Sequence, residues 1–236
     1  MVDDLNVKIF ADGADLDAIL ALAANQRIAG FTTNPTLMWK AGLTDYEEFA
    51  RRQLERITTH PISFEVFADD PVEMRRQAQM ISRWGENVYV KIPVSTTAGE
   101  SMAPLVRELS EDGVKVNVTA LFTTAQVELI TEAVKNGAPS CISVFAGRIA
   151  DAGIDPVPIM KRSVEIMVQA PRSELIWASP REILNVVQAD QVGCHIITVT
   201  SDLLRKLDLL GKDLLQYSLE TVQMFHRDAL SAGFSL

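Results

Sequence analysis

The sequence has little of what builds metal centres and disulfides: its 236 residues include two cysteines and three histidines. Cys141 and Cys194 each lie in an apolar segment, without a CxxC spacing or neighbouring histidines. This pattern is more typical of buried reduced thiols than of a disulfide or a metal site. His60, His195 and His226 form no ligand spacing either. We therefore expect no structural metal.

Positive charge is also scarce, because 22 lysines and arginines face 31 aspartates and glutamates, for a net charge of −9. Nucleic acid and anionic membrane surfaces both require a basic footprint, so neither is an expected partner. Local basic groups can still bind a small phosphate.

Long apolar runs are missing too, since no stretch approaches eighteen uninterrupted apolar residues. The first residues, Met-Val-Asp-Asp, do not resemble the basic start of a signal peptide. The expectation is a cytoplasmic protein without a membrane span.

What the sequence does contain is a regular alternation of two patterns over its full length. Short apolar or β-branched runs predict strands at Val7–Ala11, Ile28–Phe31, Ile62–Val66, Val88–Lys91, Lys115–Val118, Cys141–Val144, Leu175–Trp177 and His195–Thr198. Segments with helical periodicity lie between them, at Asp15–Ala24, Tyr46–Ile57, Pro71–Trp84, Gly99–Leu109, Thr123–Lys135, Asp155–Gln169, Pro180–Ala189 and Ser201–Leu207.

Eight such strand and helix units, without a linker between them, favour an α/β fold, a (β/α)8 TIM barrel, as a single domain over residues 1–236. Residues 212–232 are predicted to form an additional C-terminal helix. A doubly wound open sheet is the alternative, but Ala11–Asp15 after the first strand does not fit a GxGxxG phosphate loop.

Lys91 is the most informative single residue, because it follows the apolar run Val88–Val90 and precedes Ile92 in a segment that predicts a buried strand. Burial disfavours an ammonium group, and a frequent functional reason for it is a neutral amine that attacks a carbonyl. The structural alternatives are a side chain that reaches solvent and an ion pair with one carboxylate.

Polar residues recur where the predicted strands end, which is where (β/α)8 barrels carry their catalytic groups. They are Asp12, Asn34, Glu65, Lys91, Asn117, Thr119, Ser143, Arg148, Ser179 and Arg181. We expect them to converge on one mouth of the barrel. Taken singly, Asp12 could cap the first helix, Asn34 could belong to a turn, and Ser179 could be a helix N-cap.

Glu65 alternates with apolar Phe64 and Val66 in a strand that should be covered on both faces. On the strand next to that of Lys91, it could form a buried ion pair. The same placement would let it move protons through a water molecule held by Thr119.

Two arginines and two serines form the second polar group. Arg148 and Arg181, with Ser143 and Ser179, offer guanidinium and hydroxyl donors suited to a phosphate. Surface ion pairing is the alternative for either arginine.

Seven ordered motifs follow successive strand ends: Phe10-Ala-Asp12, Gly30-Phe-Thr-Thr-Asn34-Pro35-Thr, Ser63-Phe-Glu65-Val, Val90-Lys91-Ile-Pro, Asn117-Val-Thr119-Ala-Leu-Phe-Thr-Thr-Ala-Gln126, Ser143-Val-Phe145-Ala-Gly-Arg148-Ile and Ala178-Ser179-Pro-Arg181. Together they resemble the transaldolase family of class I, Schiff-base-forming barrel enzymes, particularly its short-chain subfamily related to fructose-6-phosphate aldolase. The resemblance spans nearly the whole chain.

The resemblance implies that Lys91 is the Schiff-base lysine, that Asp12 is the base on the donor's C4 hydroxyl, and that Glu65 and Thr119 handle the catalytic water. The implied substrate-binding residues are Asn34 and Asn117 for the dihydroxyacetone hydroxyls, and Ser143, Arg148, Ser179 and Arg181 for the phosphate. The implied reaction moves a dihydroxyacetone unit from fructose 6-phosphate or sedoheptulose 7-phosphate to an aldose phosphate, without metal or organic cofactor.

Two positions separate transfer from simple cleavage. The related aldolases that this chain resembles have a tyrosine at the position of Phe145 and a glutamine at that of Glu65, and these groups are associated with release of the three-carbon unit. Because Phe145 has no hydroxyl and Glu65 can ionise, the resemblance favours transaldolase. Alternatives are a fructose-6-phosphate aldolase-type lyase, a transaldolase for a modified ketose such as a sulfonated one, and a barrel that binds sugar phosphates without turnover.

Partners are expected to be small sugar phosphates and further copies of the chain. The short subfamily that this chain resembles consists of ring-shaped homo-oligomers. The resemblance therefore implies a pentamer or decamer, with the C-terminal helix contributing to assembly.

Overall fold

The computed structural model describes residues 5–234, which form a closed barrel of eight parallel strands paired in sequence order. The strands are β1 (Lys8–Asp12), β2 (Ile28–Thr32), β3 (Ile62–Glu65), β4 (Val88–Pro93), β5 (Val116–Leu121), β6 (Ser140–Val144), β7 (Ser173–Trp177) and β8 (Ile196–Thr200). β1 pairs with β8 and closes the ring. The predicted (β/α)8 TIM barrel is confirmed, and the open-sheet alternative is wrong.

The helices surround this barrel. They are α1 (Leu16–Leu22), α2 (Pro35–Lys40), α3 (Tyr46–Leu54), α4 (Pro71–Ser82), α5 (Ala103–Glu111), α6 (Thr124–Val134), α7 (Ala146–Asp151), α8 (Pro156–Met167), α9 (Leu184–Gln191), α10 (Ser201–Leu204) and α11 (Leu214–Ser231), with a 3-10 turn at Leu207–Leu209.

Capping side chains begin most of the longer helices. Asp45, Asp70 and Asp155 each accept a hydrogen bond from a backbone N–H in the first turn of the helix that follows. Thr123 and Gln126 form a reciprocal capping box at the start of α6. Such caps satisfy donors that have no partner inside the helix, which explains why the chain enters a helix at these points.

Two short helices, α2 and α7, lie outside the predicted segments. Each has six residues, which is too short for a periodic apolar pattern. α2 forms because Asn34 caps it and Pro35 occupies its first turn. Both helices follow strand ends directly, so both border the barrel mouth.

Two predicted helices begin later than expected. α5 begins at Ala103, because a bridge between Ser95 and Ser101 holds the preceding loop in a tight turn. α9 begins at Leu184, where Asn185 accepts backbone hydrogen bonds from the residues just before it.

A small apolar cluster fills the barrel interior: Phe10, Cys141, Ile176, Ala178 and Ile196. Alternate residues of a strand face the same side. Phe10, Cys141 and Ile196 stand two residues before the polar Asp12, Ser143 and Thr198. The cluster therefore forms the floor beneath the polar mouth, while a larger apolar core packs the strands against the helices.

α11 differs from the other long helices because none of its residues is buried. Its exposed side chains include Leu215, Leu219, Val222 and Phe225. Within residues 5–234, no helix combines the length and apolarity that crossing a membrane requires.

Candidate active site

A cavity of about 430 Å³ opens at the C-terminal ends of the strands. All eleven residues singled out from the sequence line it: Asp12, Asn34, Glu65, Lys91, Asn117, Thr119, Ser143, Phe145, Arg148, Ser179 and Arg181. The structure thus brings the complete predicted set together at one mouth, although their individual roles stay predictions.

Lys91 lies at the base of this cavity with 7% of its surface exposed. Its Nζ atom is 3.1 Å from Glu65 Oε2 and donates a hydrogen bond of 2.9 Å to the backbone carbonyl of Thr33. β3 and β4 pair in a register that sets Glu65 directly beside Lys91. The ion pair between Lys91 and Glu65 that was considered from the sequence is therefore present. It places the Glu65 carboxylate, a proton acceptor, next to the candidate amine.

Asp12 occupies the end of β1 and accepts a hydrogen bond of 2.8 Å from the Thr32 hydroxyl on β2. It does not cap α1, which Asp15 caps instead. Burial raises the pKa of the Asp12 carboxyl above its usual value, while the charge of Lys91 and the Thr32 hydrogen bond oppose this shift. A carboxylate with a raised pKa is better suited to accept a proton near neutral pH.

A chain of hydrogen bonds crosses the barrel below the mouth. Asn117 Nδ2 donates to Ser63 Oγ at 3.0 Å, and Ser143 Oγ donates to Asn117 Oδ1 at 2.7 Å. All three side chains are buried. The chain fixes the orientation of the Asn117 amide between β3 and β6.

The two arginines follow β6 and β7, which lie across the barrel from β2 and β3. The Arg148 guanidinium lies 5.1 Å from the centre of the Phe145 ring. Arg181 is paired through two nitrogens with Asp151 of α7, with Nε 3.0 Å from Oδ1. The ion pairing considered for Arg181 is therefore real, and Asp151 fixes the direction in which this guanidinium can meet an anion.

Backbone strain is concentrated at the mouth. Among the described residues, the non-glycine residues with left-handed φ angles are Ala120 (φ 63°) and Ser179 (φ 62°), and both line the cavity. Gly147 allows the Ser179 loop to approach α7, because a Cβ atom at residue 147 would lie 1.5 Å from the Ser179 carbonyl oxygen. Ser179 is thus a strained loop residue and does not cap α9.

Several contacts at the site could not be found from the sequence pattern. Thr32 and Thr33 belong to the Thr-Thr-Asn-Pro motif, yet nothing in the motif shows that one binds Asp12 and the other Lys91. Ser63 opens one of the quoted motifs, but the motif assigns it no contact, and Tyr46 and Asp151 carried no signal, since each acts through a tertiary contact. Asn34 caps α2 through its Oδ1 atom, whereas the structural alternative considered from the sequence was a turn, and it also lines the cavity.

The part of the chain that the structure describes contains no group of three or more histidine, cysteine, aspartate or glutamate side chains placed to hold a metal ion. The titratable groups of the cavity are instead carboxylates beside a lysine and arginines beside hydroxyls.

The sequence pattern of the family described as transaldolase/fructose-6-phosphate aldolase matches residues 9–235. A Dehalococcoides mccartyi protein named "Probable transaldolase" is 34% identical over 202 residues, which are 85% of this chain and 90% of that protein. A Thermoanaerobacter protein of the same name is 35% identical over 202 residues, with coverage of 85% and 89%. A crystal structure assigned to a fructose-1,6-biphosphate aldolase of Coccidioides immitis has a TM-score of 0.54 at 18% identity, covering 82% of this chain and 73% of that one, and this likeness concerns the fold alone.

The environment of Asp12 leads to a prediction about stability. Burial raises its pKa above 3.8, the usual value for an aspartate and the value expected in the unfolded chain. The carboxylate therefore destabilises the fold increasingly as the pH rises above the unfolded-state pKa, up to the folded-state pKa. We expect Asp12→Asn, which can still accept from Thr32, to raise Tm at about pH 8, with each kcal/mol worth ~2–4 °C in a chain of this size.

Thermal unfolding followed by circular dichroism between about pH 4.5 and about pH 8 measures this gain. The gain should shrink towards the acidic end, because the pH approaches the unfolded-state pKa, below which both states bind the proton. A stability loss at about pH 8, or a gain independent of pH, would contradict the assignment.

Proposed function

Because the chain belongs to the transaldolase/fructose-6-phosphate aldolase family and is an enzyme of that family, we propose that it transfers a dihydroxyacetone unit between sugar phosphates through a Schiff base on Lys91. The observation that carries the proposal is the buried Lys91 amine, 3.1 Å from the Glu65 carboxylate, in a cavity that also contains two arginines.

The first step is formation of the imine. The Lys91 ammonium group transfers a proton to Glu65, and the neutral amine attacks the C2 ketone of the donor. Water leaves the resulting carbinolamine with a proton returned by Glu65. The Thr119 hydroxyl lines the cavity two residues beyond Asn117 on β5, where it can hold that water.

Carbon–carbon cleavage follows. The iminium draws electrons from the C3–C4 bond while Asp12 removes the proton from the C4 hydroxyl, so an aldose phosphate leaves and an enamine remains on Lys91. Asn34 and Asn117 hold the hydroxyls of the three-carbon unit. The enamine then adds to an acceptor aldose phosphate by the reverse sequence. Because the iminium is the electron sink, the scheme needs no metal or organic cofactor.

The phosphate of donor and acceptor binds on the arginine side, to Arg148, Arg181, Ser143 and Ser179. The donors are fructose 6-phosphate or sedoheptulose 7-phosphate, which places the reaction in the pentose phosphate pathway and the protein in the cytoplasm. A single domain of one barrel suffices for this chemistry.

Transfer is favoured over free cleavage by Phe145. This side chain lines the cavity without a hydroxyl and lies 5.8 Å from the Phe122 ring, measured between ring centres. It cannot supply the proton transfer that would help release the three-carbon unit from Lys91. The lyase of the aldolase type is the second candidate, because the family includes both activities.

The chain also assembles, in this proposal, into a homo-oligomer such as a pentamer or decamer. α11 supports this assembly, since it has no buried residue and exposes Leu215, Leu219 and Val222 at spacings of four and three residues. Such a stripe on a helix surface is stabilised when another apolar surface covers it.

Borohydride trapping tests the imine. Incubation with fructose 6-phosphate and borohydride, followed by peptide mass spectrometry, should place a reduced adduct on Lys91. Lys91→Arg keeps the charge but cannot form the imine, so we expect no adduct and a loss in kcat of at least ~10³-fold. The control Lys115→Arg changes a lysine that donates to the Glu86 carbonyl and should leave trapping intact.

An adduct on another lysine, or none on the unmodified enzyme, would exclude the mechanism. Product analysis with and without erythrose 4-phosphate then separates the two activities. Rapid release of free dihydroxyacetone without an acceptor would assign the enzyme as a lyase.

The phosphate site is tested by comparing fructose 6-phosphate with fructose. A charge-assisted hydrogen bond contributes ~1.5–3 kcal/mol, so Arg148→Ala and Arg181→Ala should each raise KM for the phosphorylated donor by ~10–100-fold. The effect on fructose should be small. Arg162→Ala, which removes a surface ion pair with Glu165, is the matched control. Equal effects on both sugars would refute the role in phosphate binding.

The oligomer is tested by light scattering, which should give a multiple of the 26.0 kDa chain mass. The double variant Leu219→Glu/Val222→Glu should shift the mass towards that of the monomer, because it places charge in the apolar stripe. Arg227→Glu, on the same helix, should not. A monomeric mass for the unmodified protein would exclude the proposal.

A further inference from the structure

Strand β3 is held unevenly at its C-terminal end. On the β4 side, pairing continues to Glu65 beside Lys91, and the Val66 N–H donates to the Lys91 carbonyl at 3.1 Å. On the β2 side, pairing stops at Thr32 beside Ser63. The backbone of Glu65 therefore has no strand partner on the β2 side.

Tyr46 supplies the missing partner. Its hydroxyl accepts a hydrogen bond of 2.6 Å from the Glu65 N–H and donates to the Glu65 carbonyl at 3.2 Å. Burial raises the pKa of the Tyr46 hydroxyl, so it keeps the proton that it donates. One side chain from the first residue of α3 thus satisfies both polar backbone atoms of Glu65.

The Tyr46 ring is itself held by aromatic neighbours. It makes edge contacts with Phe64, Phe67 and Trp84, with ring centres 6.1, 4.6 and 5.7 Å away. These contacts leave the hydroxyl little freedom to move. The position of the hydroxyl is therefore fixed independently of the substrate cavity, whose lining does not include Tyr46.

The same opening between β2 and β3 serves Lys91. The Thr33 carbonyl, the first beyond the end of β2, accepts from Lys91 Nζ at 2.9 Å. If β2 and β3 stayed paired to their ends, this carbonyl would be used by the sheet. Where β2 and β3 separate, the Tyr46 hydroxyl bonds the backbone N–H and carbonyl of Glu65, while the Lys91 amine bonds the carbonyl of Thr33.

We propose that Tyr46 is a positioning residue for this enzyme: its hydroxyl anchors the backbone of Glu65 and thereby holds the Glu65 carboxylate against the Lys91 amine. The inference rests on the proposed imine chemistry at Lys91. Tyr46 does not touch the substrate, so its influence should fall on the rate of imine formation and not on donor binding.

The experiment measures the rate at which the borohydride-trappable adduct forms with fructose 6-phosphate, together with kcat and KM. Tyr46→Phe keeps the ring and removes the hydroxyl, and we expect adduct formation and kcat to fall about 10-fold, with KM within about two-fold of the unmodified enzyme. The control Tyr89→Phe removes a tyrosine hydroxyl from β4, two residues before Lys91 and outside the cavity lining. It should leave the rate of adduct formation, kcat and KM unchanged.

A double-mutant cycle decides whether Tyr46 acts through Glu65. In a Glu65→Gln background, adding Tyr46→Phe should change the trapping rate by less than about two-fold, since the carboxylate that the hydroxyl positions is already gone. A full additional 10-fold loss in that background would overturn the proposal, as would an unchanged rate for Tyr46→Phe alone.

If Tyr46→Phe also lowers Tm, Val134→Ala distinguishes loss of the hydroxyl from loss of stability. This change removes buried side-chain volume from α6, away from the Tyr46 contacts and the cavity lining, so trapping by the folded variant should stay close to that of the unmodified enzyme. A loss as large as that of Tyr46→Phe would overturn the proposal. Absence of any adduct on the unmodified enzyme would instead refute the imine mechanism, so the two failures are distinguishable.

Discussion

The site depends on one constraint, which is that a buried ammonium group must be matched by nearby acceptors. Lys91 meets this requirement through Glu65 on the neighbouring strand and the Thr33 carbonyl at the open end of β2. Both acceptors exist because of the strand register: β3 and β4 stay paired through Glu65, while β2 and β3 separate earlier. The barrel thus sets the position of the Lys91 amine through its backbone pairing before any loop contributes.

The mouth is also the place where the chain departs from relaxed geometry. Ala120 follows Thr119 at a register shift between β5 and β6, and its left-handed φ turns the strand end as it enters the cavity. Ser179 has the same strain on the arginine side, beside Gly147. A left-handed non-glycine residue costs about 1–3 kcal/mol, so the packed barrel beneath must over-determine these conformations. The chain neighbours of these two residues, Leu121 and Ala178, are buried, so the backbone on one side of each strained residue is held by packing.

The fold could be predicted from the sequence because each strand has a strong local pattern and the polar residues recur at a fixed place after it. Lys91 and Glu65 stood out because each interrupts an apolar run. By contrast, α2 and α7 were too short for periodicity, and the contacts of Tyr46 with Glu65 and of Asp151 with Arg181 join residues 19 and 30 positions apart. No local pattern encodes such contacts, since they depend on how helices dock on the barrel.

In the proposed mechanism, the ion pair also explains how a buried site tolerates a change of charge. The net charge of the Lys91–Glu65 pair is zero when the two groups are ammonium and carboxylate. It is still zero after the proton has moved and both groups are neutral. When water leaves, the iminium carries a positive charge and Glu65 returns to a carboxylate, so the sum is again zero. A lone lysine in the same position would create an uncompensated charge at the iminium stage, at a cost of several kcal/mol in a low-dielectric interior. The precision with which Glu65 is held therefore matters at every stage of the reaction, which is why the support behind its backbone belongs to the chemistry as much as to the fold.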